Sequence, residues 1–212
     1  MKIIFSSIIN FLTILLLFSC TKHDNKELLN RINEEIRGQY KCISITFLGT
    51  PLDLNGDGNT NNNLLKEMSA DFSKTIFNSL LKIYPATDYE EKKLINLEIP
   101  MMQYIFFDTK QNKYYVEGYR EDKGAFIDIS YSIGKDGKIS FFFDNTLNTN
   151  LSEKDDNIIK GVNYLYLKGI TMEKPESGKL NAEIECMYYD YATSKTVIGK
   201  TLFQYERVSY AL

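Results

Sequence analysis

Period-two alternation in the second half of the chain is the tightest constraint on its fold. From Ala125 to Ile133, Ile127, Ile129, Tyr131 and Ile133 fall on one side, and Asp128, Ser130 and Ser132 fall on the other. That is a strand with one face on a core and one in water. Lys135-Asp136-Gly137-Lys138 follows as a hairpin turn, and Ile139 to Phe143 is the return strand. Val162 to Met172, Leu180 to Tyr191 and Thr196 to Val208 continue the pattern. Their joints are Lys174-Pro175-Glu176-Ser177-Gly178 and Thr193-Ser194-Lys195. Joints this short force antiparallel neighbours. Upstream, Tyr40 to Leu48 alternates with Ile43, Ile45 and Phe47 on one face, and Lys113 to Tyr119 adds another strand. Leu94 to Phe107 is apolar on both parities and contains Pro100, which predicts a bulge or an edge. The chain is therefore expected to be mainly β, an antiparallel up-and-down barrel of about eight strands that closes on itself. A two-sheet sandwich is the competing arrangement.

Two segments carry helical periodicity instead. Asp24-Asn25-Lys26-Glu27 has the form of a capping box. Leu28, Leu29, Ile32 and Ile36 then share one helical face, and Gly38 suits the position just past the helix. This N-terminal helix reads as a lid on the body, or else as a helix that binds a partner or lies on a membrane. From Leu64 to Tyr84, Leu65, Met68, Phe72, Ile76, Leu80 and Tyr84 recur every three or four residues, with Pro85 behind them. That spacing predicts a long helix. Thr87-Asp88-Tyr89-Glu90 then opens a short charged turn through Lys93, giving an inserted helical segment over 64–93. Asn145 to Lys160 is a polar connection with one helical turn near Ser152 to Asp155.

Met1-Lys2 is followed by an almost wholly apolar run from Ile3 to Phe18. The run is shorter than the ~20 residues that a membrane-crossing helix needs, and has the form of a secretory signal peptide. Leu17-Phe18-Ser19-Cys20 resembles the lipobox of bacterial lipoproteins. The expectation is a signal peptide over 1–19, lipid on Cys20, a tether over 20–26 and one domain over 27–212. Its partner is the membrane, reached through the lipid, and its place is the cell envelope as an outer-membrane lipoprotein. An uncleaved anchor helix, or an ordinary signal peptide with a chance cysteine, are the alternatives.

Net charge is −3, with acids and bases interspersed. No basic stripe suits a nucleic acid. The single histidine is His23 in the tether, which excludes histidine-based triads and multi-histidine metal sites. Beyond Cys20 the cysteines are Cys42 and Cys186. An exported chain can bridge them, or they are two small strand residues.

Asp53-Leu54-Asn55-Gly56-Asp57-Gly58 is the most specific motif after the leader. Oxygen side chains at alternate positions around a sharp glycine bend are the first half of a calcium loop. The candidate ligands are Asp53, Asn55, Asp57 and Asn59, for weak calcium. The twelfth position holds Leu64 where a bidentate Glu should stand, and Glu67 comes three residues late. An Asn/Gly-rich surface turn is the alternative.

The strand from Tyr40, the loop Pro51 to Gly58 and Leu64-Leu65-Lys66-Glu67 resemble lipocalin-like lipoproteins of Gram-negative bacteria. There the first strand often opens with Trp where this chain has Tyr40, and a strand is usual where the long helix through Tyr84 is predicted. The resemblance implies a lipocalin-like barrel in the envelope and no settled biochemistry. A barrel of this size leaves room for side chains or one small apolar ligand. The candidate lining is Ile127, Ile129, Tyr131, Ile139, Phe141 and Phe143, which is also what a filled core looks like. The second expectation is an interaction subunit of an envelope complex, presenting Tyr114-Tyr115, Tyr164-x-Tyr166 and Tyr188-Tyr189-x-Tyr191. No catalytic set is expected: Asp155-Asp156 and Glu90-Glu91 read as solvated loop charges.

Overall fold

The computed structural model describes residues 26–68, 80–118, 125–143, 148–149, 159–162, 164–172 and 174–211. The leader, Cys20, the tether with Asp24, the centre of the predicted long helix, and Ser152 to Asp156 lie outside the described residues. Residues 26–36 form helix α1. The strands are β1 Gly38–Phe47, β2 Leu80–Ile83, β3 Lys93–Ile99, β4 Gln103–Asp108, β5 Lys113–Gly118 and β6 Ala125–Ile133. They continue as β7 Ile139–Phe143, β8 Asn148–Thr149, β9 Ile159–Gly161, β10 Leu165–Met172, β11 Lys179–Asp190 and β12 Lys195–Ser209.

The protein is mainly β, in antiparallel sheets of which one is a half-barrel. The largest sheet runs β10-β11-β12-β1-β2, so the first strand pairs with the last. A second sheet runs β3-β6-β7, with β8 also on β6, and a third runs β5-β4-β9. β2 lies beside β3 and β7 beside β10, without a shared ladder among the described residues. The chain is therefore not one uninterrupted meander: the β4–β5 hairpin leaves it between β3 and β6. Among the described residues no helix is long and apolar enough to cross a membrane.

Three strand-level expectations are corrected. The inserted helix over 64–93 is not what the described part forms. Leu64–Glu67 is one 3₁₀ turn, capped by the Asn63 side chain accepting from the Leu65 amide. Leu80–Ile83 is β2, laid on β1 with Gly38 opposite Ile83. Leu81 and Ile83 alternate into the core, and pairing with the free edge of β1 outweighs a modest helical propensity. Leu94 to Phe107 is two strands in different sheets. Pro100 stands at the corner between them, where it need donate no ladder bond. Finally, Ile43 does not share a buried face with Ile45 and Phe47. A bulge between Cys42 and Ser44 changes the phase of β1. Tyr40 and Cys42 point inward before it and Ile45 and Phe47 after it, leaving Ile43 39% exposed.

The bulk of the core lies between the large sheet and β3-β6-β7. Tyr40, Tyr131 and Tyr205 are fully buried there, and each gives its hydroxyl proton to a backbone carbonyl, which removes the cost of burying it. Tyr205 reaches across to Glu98 at 3.1 Å, Tyr40 to Ile36 at 2.6 Å, and Tyr131 to Tyr84. Helix α1 closes one end through Leu29, Ile32 and Ile36. Arg207 donates to the Glu35 carbonyl at its C-terminal turn, where a cation is favoured.

Candidate functional site

The other end of β1 opens into the segment that carries the acidic motif. Leu52 and Asn61 form an antiparallel bridge that closes a small loop over residues 53–60. Gly56 and Gly58 take φ of +77° and +84° inside it, a region that favours glycine. The Asp53 carboxylate accepts from the Gly56 amide at 2.7 Å and the Gly58 amide at 3.0 Å. Asn55 accepts from the Asp57 amide at 2.9 Å and donates to the Asp57 carboxylate at 3.2 Å, while the Asn59 amide donates to Asp57 at 2.8 Å. Asn55 and the Asn59 backbone therefore brace Asp57.

Glu67 completes the cluster. The 3₁₀ turn carries it back beneath the loop, where its carboxylate accepts from the Leu54 amide at 3.2 Å. Carboxylate oxygens of Asp53, Asp57 and Glu67 all lie within 4.8 Å of one another. Asp53 and Glu67 are buried and Asp57 is exposed. Burial raises the Glu67 carboxyl above its ordinary value, and the charges of Asp57 and Asp53 raise it further. The Asn59 amide holds Asp57 below its ordinary value. Three converging hard-oxygen donors with no nitrogen or sulfur among them suit a hard cation such as calcium.

The loop is fastened to β11 and β4. The Asp53 amide donates to Asp190 at 3.0 Å, and the Tyr191 amide donates to the Asp53 carbonyl at 2.8 Å. Gln103 acts as a rung of sheet. Its amide oxygen accepts from Tyr189 at 2.8 Å, and its amide nitrogen donates to the carbonyls of Tyr189 and Leu54, each at 3.0 Å.

Beside this loop lies an open groove of about 700 Å³, between residues 47–52 and 197–200. Phe47 forms its floor. A Cβ at Gly199 would stand 2.7 Å from the Phe47 ring and one at Gly49 2.5 Å, so glycine at both positions makes room for it. Tyr188 meets the same ring edge-on at 5.7 Å. Leu48 and Ile198 stand half-exposed at the rim, and Leu52, Thr60 and Asp190 tie the groove to the acidic loop.

The proposed lining residues separate. Ile127, Ile129 and Tyr131 are packed in the core, and Phe143 packs partly against it. Ile139 and Phe141 line a second open groove of about 360 Å³, with Ile170 and Met172 across from them. A void of about 20 Å³ between Ile99–Gln103 and Cys186–Tyr188 has room for one water.

Cys42 and Cys186 are both buried and free. They sit opposite Tyr205 and Gly199 of β12, six residues or about 20 Å apart along that strand, far beyond disulfide reach. Of the paired tyrosines, Tyr188 is buried, whereas Tyr114, Tyr115, Tyr164, Tyr166 and Tyr191 are partly exposed. Phe107, Tyr114, Tyr189 and Tyr191 form a row of ring contacts at 4.9, 6.2 and 5.1 Å. Glu91 accepts from the Thr87 amide and hydroxyl and pairs with Lys93 at 2.7 Å. The capping partner of Thr87 is thus Glu91, one residue beyond the expected Glu90.

Sequence spacing missed Glu67 because the loop is short-circuited by the Leu52–Asn61 bridge, which counting along a calcium-loop template does not foresee. The groove had one legible signal, a glycine inside an otherwise strand-forming run at Gly199, which marks a close approach of another group. Comparisons with family models, curated proteins and solved structures return no match for this chain.

Proposed function

We propose that this chain is a lipid-anchored binding module of the cell envelope. It holds a small apolar or amphipathic ligand in the groove over Phe47, with a calcium ion stiffening one wall. The groove itself carries this reading. Its volume of about 700 Å³ lies within the usual range of ligand pockets, and apolar side chains line it beside a few polar groups. The Leu17-Phe18-Ser19-Cys20 leader supports the anchor and the outer-membrane location. Calcium at Asp53, Asp57 and Glu67 would offset the charge that these carboxylates bring together, with Asn55 and Asn59 fixing Asp57 rather than completing the shell.

The finer fold is a lipocalin-like barrel. Taken in spatial order, β10-β11-β12-β1-β2 continues through β3-β6-β7 back to β10, an eight-strand circuit with two seams. The pairing of β1 with β12 and the adjacency of β2 to β3 and β7 to β10 support closure.

The test uses N-phenyl-1-naphthylamine, an apolar dye that brightens on burial. The dye should bind the parent protein, and Gly199→Val, which drives a side chain into the Phe47 ring, should abolish that binding while the fold is kept. Equal dye binding by Gly199→Val would remove the groove as the site. Calorimetry with calcium, with Asp57→Ala as control, tests the ion: no heat from the parent protein rejects it.

The second reading is an interaction subunit of an envelope complex. It rests on the row Phe107, Tyr114, Tyr189 and Tyr191, because partly exposed aromatic rings are favoured interface anchors.

A further inference from the structure

Five exposed apolar side chains, Tyr84, Leu94, Phe142, Val208 and Tyr210, lie at the α1 end of the strands. Tyr84 follows β2, whose Ile83 lies opposite Gly38. Tyr210 follows β12, whose Ser209 lies opposite Gln39, and Val208 precedes it on the same strand. Leu94 and Phe142 flank Ser130 in one row across β3, β6 and β7. That row lies close to the β6–β7 turn on which α1 rests, with Gly137 beneath Ile32 and Leu28. Leu94 is 68% exposed and Tyr210 59%. Two of the aromatic rings carry cations: Lys92 lies 4.6 Å over Phe142, and Arg207 lies 4.0 Å over Tyr210. Amphipathic rings and long basic side chains are what proteins place at the headgroup level of a membrane.

The length of chain ahead of α1 says what covers this rim. Only five residues lie between Cys20 and Lys26, and the six steps from one to the other reach at most about 20 Å. We infer, resting on the reading that Cys20 is lipidated, that the rim formed by Tyr84, Leu94, Phe142, Val208 and Tyr210 docks on the phospholipid bilayer that holds the anchor. A tether this short keeps the α1 end near the lipid, so modest apolar contacts suffice to hold one orientation. The acidic loop lies at the far end of β1, about 30 Å away. An anionic leaflet would repel it if the domain were inverted. Docking in this sense leaves the groove over Phe47 facing away from the membrane.

The chain contains no tryptophan, so a single introduced one is an unambiguous depth reporter. The full-length lipoprotein is reconstituted in nanodiscs whose lipids carry bromine on the acyl chains, with tryptophan at one position per variant. Leu94→Trp and Tyr210→Trp should each lose emission relative to the same variants in nanodiscs of unbrominated lipid, because rings at the headgroup level adjoin the upper acyl chains. Ile198→Trp, at the groove, should lose none. Equal quenching at all three positions, or none at the first two, overturns docking. A rim covered by a second copy of the chain gives that second result. Mass spectrometry of the same samples separates the premises. An unmodified Cys20 brings down the anchor and the inference with it, whereas an acylated Cys20 without quenching brings down docking alone.

Discussion

Asn33 on α1 and Ala86 in the segment after β2 bond each other twice. The Asn33 side-chain amide donates to the Ala86 carbonyl at 2.7 Å, and the Ala86 amide donates to the Asn33 oxygen at 2.9 Å. Both residues are buried. One side chain therefore replaces two backbone partners and fixes the helix across the end of the sheets. Asn33→Ala strands a buried donor and a buried acceptor, and should cost about 2–4 kcal/mol. Urea unfolding followed by circular dichroism measures it. A loss below about 0.5 kcal/mol would mean that water replaces the pair.

The joint between α1 and β1 depends on Gly38, at φ +139°. A Cβ there would stand 2.3 Å from the Ser209 carbonyl oxygen, a backbone atom held in the β1–β12 ladder. Gly38→Ala should destabilise by roughly 2–4 kcal/mol, because strain and collision act together. Gly58, at φ +84° with nothing within 4 Å of a Cβ, is the control. Gly58→Ala should cost only about 1 kcal/mol. Equal midpoints for the two variants would contradict the crowding.

Glu67 sets a pH dependence of definite sign. Its folded carboxyl titrates above the ordinary value of 4.5, chiefly through burial and then through Asp57 and Asp53. Between the ordinary and the raised value the folded chain binds more protons than the unfolded one, so stability falls as pH rises through that window. In a chelator, Glu67→Gln should be more stable than the parent at neutral pH and indistinguishable from it below pH 4.5. Millimolar calcium should raise the parent's midpoint and leave the variant's unchanged. Parallel pH profiles for the two proteins would show that Glu67 carries no such penalty.

Burial pushes the thiols of Cys42 and Cys186 up to about 12. Thiolate is the reactive form, so neither should react with a maleimide in the folded Cys20→Ala protein at neutral pH, and both should react in urea. Under oxidising conditions the mass should stay that of two free thiols. A loss of two hydrogens in the folded monomer would mean that the strands separate far enough to bring the two sulfurs together.

The strands after Ala125 were legible because each buries one face, and burial writes a period of two into the residues. Their hairpin joints carried their own turn chemistry. The described ends of the predicted helix misled for a related reason. The run Leu80 to Tyr84 is apolar at helical spacing and at period two alike. The free edge of β1 decided for a strand at Leu80–Ile83, with Leu81 and Ile83 buried and Tyr84 exposed. The phase change in β1 was hidden because Tyr40 and Cys42 are apolar on one parity and Ile45 and Phe47 on the other. Only the ladder with β12 reveals where the bulge falls.

The order of residues alone determined the antiparallel β character, the amphipathic lid over Leu29, Ile32 and Ile36, and the sharp acidic turn at Asp53. Each follows from contacts or torsions within a few residues. The tertiary structure decided that Glu67 joins Asp53 and Asp57, that Phe47 floors a groove over Gly199, and that the first strand finds the last. Those pairings join positions distant along the chain, and which of many chemically acceptable partners meet is set by packing the whole core at once.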